Sequence, residues 1–223
     1  MNLPTRLTKI TDIQIGDHSF LNESHQCFYW GEYTPYKGAT YSSTNQLIMN
    51  LKKKMERRGK PDWHYKAEAI ENVARQFSRL WNWGDVNSKF SLVVVPMPSS
   101  KAKADPEYDD RMMQVLCRIG TLVNVPLDIR DCLSFDGSCP PSHGATERPS
   151  VDRLYGSMSF NKYATVEQGP PNMIFLFDDV LTSGAHFVAA SRALNENYPG
   201  AQIIGNFVAR RALINPFENT DDS

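Results

Sequence analysis

The stretch at 173–187, MIFLFDDVLTSGAHF, sets two adjacent carboxylates, Asp178 and Asp179, behind an apolar run. Neighbouring acids repel, so a strand that ends in a pair of them needs water or a partner. The turn that follows offers the opposite chemistry. Thr182 and Ser183 bring hydroxyl donors, and Gly184 permits close backbone approach. A helix opening there leaves its first N–H groups without intrahelical acceptors. Residues Leu181, Thr182, Ser183, Gly184, Ala185 and His186 thus read as a phosphate cradle at a helix N-terminus. The acids would repel that phosphate, so they address another part of the ligand. Adjacent sugar hydroxyls, or a metal bound to them, are the natural targets. A phosphate beside a diol describes a ribose 5-phosphate. His186 is either a phosphate contact or a first-turn residue facing solvent.

The elements that must position these groups alternate along the chain. QCFYWGEYT at 26–34 is strand-like, and SSTNQLIMNLKKKMERRG carries a helical stripe at Leu47, Ile48, Leu51 and Met55, ended by Gly59 and Pro61. A second helix is expected from Trp63 to Trp83. KFSLVVVPMPSSKAK is a continuous apolar run that breaks into Pro, Ser and Lys, as in a strand buried on both faces. A helix over EYDDRMMQVLCRIGTLV, a short strand VPLDI, a strand in YGSMSF and a final strand AQIIGNFVA follow. Strands are expected near 91–95, 173–177 and 202–208, in a mainly parallel α/β sheet with helices on both faces. Ligands of such sheets bind at the carboxyl ends of strands, where both loops fall. Residues 131–153 have no apolar period, and a loop of that length is usually functional. The chain divides into a lead-in at 1–60 packed on the core, a main domain at 61–215 and a polar tail at 216–223.

Composition excludes several classes. The 223 residues suffice for a substantial core, and a net charge of −1 gives no global pull toward nucleic acid or membrane. No apolar run reaches a membrane span, and the N-terminus lacks a signal peptide's apolar core. Cys27, Cys117, Cys132 and Cys139 form no CxxC pair and read as free thiols of a cytoplasmic protein. His18, His25 and Cys27 match no zinc-ligand spacing and read as turn and strand residues. Lys52, Lys53, Lys54, Arg57 and Arg58 read as a solvated helix face, with a local nucleic-acid patch as the alternative.

IFLFDDVLTSGAHF resembles the phosphoribosyl pyrophosphate motif of type I phosphoribosyltransferases: apolar strand, two acids, two apolar residues, then Thr-Ser-Gly. VVVPMPSSKAKADPEYDDRMMQVL is similar to the pyrophosphate-loop segment of the competence-protein F branch, which is amidophosphoribosyltransferase-like. The lead-in FYWGEYTPYKG and its Lys-ended helix also resemble that branch, without its N-terminal zinc ribbon. The likeness spans most of residues 26–212, and the first motif is the sharp one.

The resemblance implies the type I phosphoribosyltransferase fold with a flexible hood at 131–153. It makes Asp178 and Asp179 the catalytic pair, holding ribose hydroxyls and only through them a Mg2+ ion. The 181–186 turn then holds the 5-phosphate. Met97, Pro98, Ser99, Ser100, Lys101 and Lys103 would approach the pyrophosphate. His143, Arg148 and Arg153 are the hood candidates. Thr182 stands where purine-salvage members carry an acid, which argues against a 6-oxopurine acceptor. The implied reaction is Mg2+-assisted transfer or release of a phosphoribosyl group from phosphoribosyl pyrophosphate, through an oxocarbenium-like transition state. Two alternatives stay open: a non-catalytic nucleotide or phosphoribosyl pyrophosphate binder partnering nucleic-acid machinery, and a nucleotide-hydrolysing defence module. The acceptor and homodimer formation are open. Replacing both acids by Asn is expected to abolish binding and leave the fold intact.

Overall fold

The computed structural model describes residues 3–138, 150–164 and 169–213. Its strands are β1 Thr8–Lys9, β2 Gln26–Tyr33, β3 Leu92–Pro96, β4 Asp128–Ile129, β5 Leu133–Phe135, β6 Met158–Phe160, β7 Met173–Leu181 and β8 Gln202–Arg211. The helices are α1 Asp12–Ile15, α2 Ser43–Leu51, α3 His64–Leu80, α4 Trp83–Lys89, α5 Arg111–Leu122, α6 Val151–Gly156 and α7 Ala185–Asn197. Six strands form one sheet in the order β1-β2-β8-β7-β3-β4, and only β1 runs antiparallel to its neighbour. All of β3 is buried, as its unbroken apolar run requires of a strand covered on both faces. β7 lies between β8 and β3, and Asp178 is its sole residue that is not fully buried.

Period-two alternation sorts the sheet residues onto two cores. Val94, Phe175, Phe177 and Val208 meet Leu47, Leu51, Val73, Phe77, Leu116 and Ile119 from α2, α3 and α5. Val93, Val95, Ile174, Leu176 and Phe207 meet Phe187, Ala190 and Leu194 from α7. Helices therefore cover both faces. The 1–60 segment supplies β2 to the sheet itself and α2 to its cover. Among the described residues, no helix is long and apolar enough to cross a membrane.

Several boundaries differ from the sequence reading. α2 stops at Leu51 rather than near Gly59, because the Lys66 ammonium takes the carbonyls of Leu51 and Lys53 at 2.7 and 3.1 Å. Those carbonyls would otherwise be orphans of the helix end. The helix expected over 63–83 breaks at Trp81, whose indole N–H donates to the Asn206 side chain at 2.8 Å. Asn82 then caps α4, accepting from the Asp85 N–H at 3.2 Å. The loop expected at 131–153 contains β5, which pairs antiparallel with β6, and the start of α6. Leu133 and Phe135 point inward around Ser134, an alternation too short to stand out in sequence. The acids do not lie past a strand at 173–177. Pairing with β3 ends at Pro96↔Phe177, but β8 continues with β7 to Leu181↔Arg210 and carries both acids within the strand.

Cys27 and Cys132 are buried free thiols, pushed up to about 12 by burial, and Cys117 is exposed. Cys139 lies outside the described residues.

Candidate functional site

The carboxyl ends of β3 and β7 leave the sheet side by side. The Met97 N–H donates to the Phe177 carbonyl at 2.7 Å, so the 97–103 segment departs next to the acids. This is where a parallel sheet offers a ligand crevice.

The two acids have different environments. Asp178 is half-buried, and its Oδ1 accepts from the Asp179 N–H at 2.7 Å. Its Oδ2 has no donor among the described residues. Burial, followed by the neighbouring charge of Asp179, raises the Asp178 carboxyl well above the usual carboxylate range. Asp179 is buried and saturated. Its Oδ1 accepts from Lys52 Nζ at 3.0 Å, and its Oδ2 accepts from Arg111 Nε at 2.9 Å and from the terminal nitrogen Nη2 of the same guanidinium. Burial alone would raise Asp179, but Lys52 and Arg111 outweigh it and hold the carboxyl below its ordinary range.

The network runs on into the core. Arg111 Nη1 donates to Asp109 at 2.8 Å, and Asp109 accepts from the buried Lys66 at 2.7 Å. The sequence reading missed Lys52, Arg111, Asp109 and Lys66. One signal was available: Arg111 opens α5, where the helix macrodipole disfavours a cation, so its presence there calls for an acidic partner. The premise of the double-Asn expectation, that both acids lie past the strand's end, does not hold, because β7 runs to Leu181. Asp179 holds two cations inside the protein, and removing its charge attacks the fold as well as any ligand.

The 181–186 turn behaves as a cradle in its backbone. Gly184 precedes α7 in the left-handed region at φ 85°. The N–H groups of Ser183, Gly184, Ala185 and His186 meet no acceptor among the described residues. Leu181, Ser183 and Ala185 are buried, Thr182 is exposed and His186 is half-buried. His186 sits edge-on to Phe135 at 5.9 Å, and burial, then the Lys52 charge, lowers its pKa. It therefore tends to be neutral and is not a fixed phosphate-binding cation.

An N-terminal strap holds this turn from behind. His18 Nδ1 contacts the Thr182 carbonyl, the Phe20 N–H donates to the Ser183 carbonyl at 3.0 Å, and Leu21 lies over Gly184. His18 is thus a buried support, and no group of three His, Cys, Asp or Glu with metal-site geometry occurs among the described residues. A Cβ at Gly184 would come within 2.7 Å of Leu21, in a backbone conformation that L-residues rarely adopt. Gly184→Ala is expected to lose about 1–3 kcal/mol of stability and to weaken phosphate binding by displacing the turn. Urea unfolding beside titration with ribose 5-phosphate checks both. Unchanged values in both would show that the turn tolerates a side chain.

The second loop carries its two cations beside acids. Met97 is buried, Pro98 and Ser99 are half-buried, and Ser100 is exposed. Lys101 pairs with Asp105 at 3.6 Å, and Lys103 is held by Asp131. Both side chains stay partly exposed near the β3 end, Lys101 with no hydrogen bond from its ammonium among the described residues and Lys103 with one. The basic run at 52–58 also departs from a single solvated face. Lys52 turns in to Asp179, while Lys53 and Arg57 both pair with Asp62 at 3.0 and 2.7 Å. Of the hood candidates, Arg153 is exposed on α6, which packs through Leu154 beside Ala185 and Ala189. His143 and Arg148 lie outside the described residues.

Among the described residues, a carboxylate oxygen without a donor, a row of unengaged amides and a partly exposed ammonium thus lie at or next to the carboxyl-terminal part of β7. Together they can bind a ligand with hydroxyls at one end and anionic oxygens at the other. Comparison with protein-family models gives no match, and comparison with curated proteins gives none either.

Proposed function

We propose that this protein binds phosphoribosyl pyrophosphate, or a nucleotide with the same ribose 5-phosphate, and acts as a phosphoribosyltransferase of the type I fold. The observation that carries this reading is the pairing, along one strand-to-helix connection, of the unpartnered Asp178 oxygen with the unengaged amides at 183–186. A carboxylate acceptor suits ribose hydroxyls, and converging N–H donors suit a phosphate. The mostly parallel sheet with helices on both faces is compatible with that fold.

Mg2+ fits the site as a ligand-borne ion. Asp178 offers one free oxygen, Asp179 offers none, and there is no three-ligand cluster among the described residues. Mg2+ commonly keeps its waters and binds through one carboxylate plus substrate phosphates. When bound, it would neutralise charge building on the departing pyrophosphate. The chain's own contribution is positional. The 183–186 amides fix the phosphate, and Asp178 orients the sugar through its hydroxyls, so C1 is presented toward the 97–103 loop. Arg153 is the described hood residue able to approach from α6. The reading places the protein in the cytoplasm, where such substrates occur, and leaves the acceptor and any homodimer to experiment.

Non-catalytic binding in partnership with nucleic-acid machinery is the weaker reading. It would use a basic face, and at 52–58 Lys53 and Arg57 are paired with Asp62 while Lys54 and Arg58 are exposed.

Purified protein incubated with phosphoribosyl pyrophosphate, Mg2+ and a panel of nucleobases and amines should release pyrophosphate with one acceptor. Binding without release under every condition would favour the non-catalytic reading. No binding of phosphoribosyl pyrophosphate or any nucleoside 5-monophosphate would end both.

A further inference from the structure

The cations around Asp179 are not equivalent. Lys66 is 3% exposed and donates to three acceptors, the Leu51 and Lys53 carbonyls and Asp109, which uses every proton of its ammonium. Arg111 directs Nε and Nη2 at Asp179 and Nη1 at Asp109, and its side chain is 19% exposed. Lys52 makes a single hydrogen bond, to Asp179 Oδ1, and its side chain is 33% exposed. Two of its three N–H donors therefore have no acceptor among the described residues.

Its position is well defined. The Lys52 N–H donates to the Ile48 carbonyl at 2.9 Å, closing α2, and the end of a helix favours a cation. From there the ammonium donates to Asp179 at 3.0 Å, and its charge also acts on Asp178 and His186. It is thus held at the carboxyl-terminal part of β7 by Asp179. The lysines that the sequence suggested for this task belong to the 97–103 segment: Lys101 lies 3.6 Å from Asp105, and Lys103 donates to Asp131.

Resting on the phosphoribosyl reading above, we propose that Lys52 is the cation that receives the pyrophosphate end of the ligand, and that Asp179 is its positioning residue rather than a ribose contact. One carboxylate, Asp178, then serves the sugar, and the other holds Lys52 and Arg111 in place. An ammonium with two open donors forms charge-assisted bonds to phosphate oxygens without first breaking its bond to Asp179.

The test uses three probes with Mg2+: phosphoribosyl pyrophosphate, inorganic pyrophosphate and ribose 5-phosphate. Lys52→Met should weaken the first two about tenfold or more and leave ribose 5-phosphate within about twofold, one charged hydrogen bond being involved. Lys52→Arg should recover most of the loss. Lys54→Met, at a neighbouring side chain that is 74% exposed, should change nothing. A measurement on the unaltered protein guards against misfolding of the Met variant. Inorganic pyrophosphate should protect Lys52 from acetylation by acetic anhydride, read by mass spectrometry, and ribose 5-phosphate should not. Equal loss for all three probes, no loss for pyrophosphate, or absent protection would overturn the assignment of Lys52 alone. Unaltered protein that binds none of the probes would overturn the functional reading and this inference with it.

Discussion

Asp179→Asn is expected to destabilise the protein by about 3–5 kcal/mol, the usual cost of removing one member of a buried ion pair. The Asp179 side chain is 4% exposed and holds two cations. Lys52 is a third exposed and partly screened by water, so the larger share of the loss belongs to Arg111. Without the Asp179 charge, Arg111 keeps only Asp109, which it shares with Lys66. Urea unfolding should show a lower midpoint with an unchanged slope. A loss under about 1 kcal/mol would mean that the network reorganises freely and is not part of the fold.

The pH dependence follows from the same two acids with opposite signs. Asp179 is held below its ordinary range, so its stabilisation is present above about pH 4 and is lost as pH falls through its folded value. Asp178 is raised, so its contribution is fully present below about pH 4 and is lost as pH rises through its folded value. Asp179→Asn should therefore flatten the acid limb of the stability profile, and Asp178→Asn the decline on the other side.

Asp178→Asn is the complementary experiment, with a large effect on the ligand and a small one on the fold. Its carboxylate has one oxygen without a donor among the described residues, five residues ahead of the unengaged amides at 183–186. A charged hydrogen bond lost there costs about 1.5–3 kcal/mol, or roughly tenfold to a hundredfold in affinity for phosphoribosyl pyrophosphate. Stability should stay within about 1 kcal/mol or rise, since a buried acid beside another acid is already penalised for ionising. Ribose hydroxyls bind the ionised form best, so affinity of the unaltered protein should increase with pH as Asp178 loses its proton. The ligand's own phosphate titrates near pH 6 in both proteins, so the difference between them isolates Asp178. Calorimetric titration across pH, beside a thermal melt, separates these effects. A folded Asn variant with unchanged affinity would sink the ribose contact.

Sequence alone determined the α/β class and two central strands of the sheet. The runs LVVV and MIFLF have the short, β-branched and aromatic character of strands covered on both faces, and they became β3 and β7 side by side. Asp178, Gly184 and the start of α7 were legible for a similar reason: each is a local feature, set by neighbouring residue types and by what a helix end leaves unsatisfied. Tertiary structure decided which charges are free. Asp178 and Asp179 are equivalent in a string of letters. They separate only when Lys52 at the end of α2 and Arg111 at the start of α5, distant in sequence, arrive beside one of them. Lys101 and Lys103 lie beside Asp105 and Asp131 and stay partly exposed, and only Lys103 donates a hydrogen bond to its acid. Charge pairing acts through space over a few ångströms and depends on which groups water still reaches, and neither quantity is written along the chain.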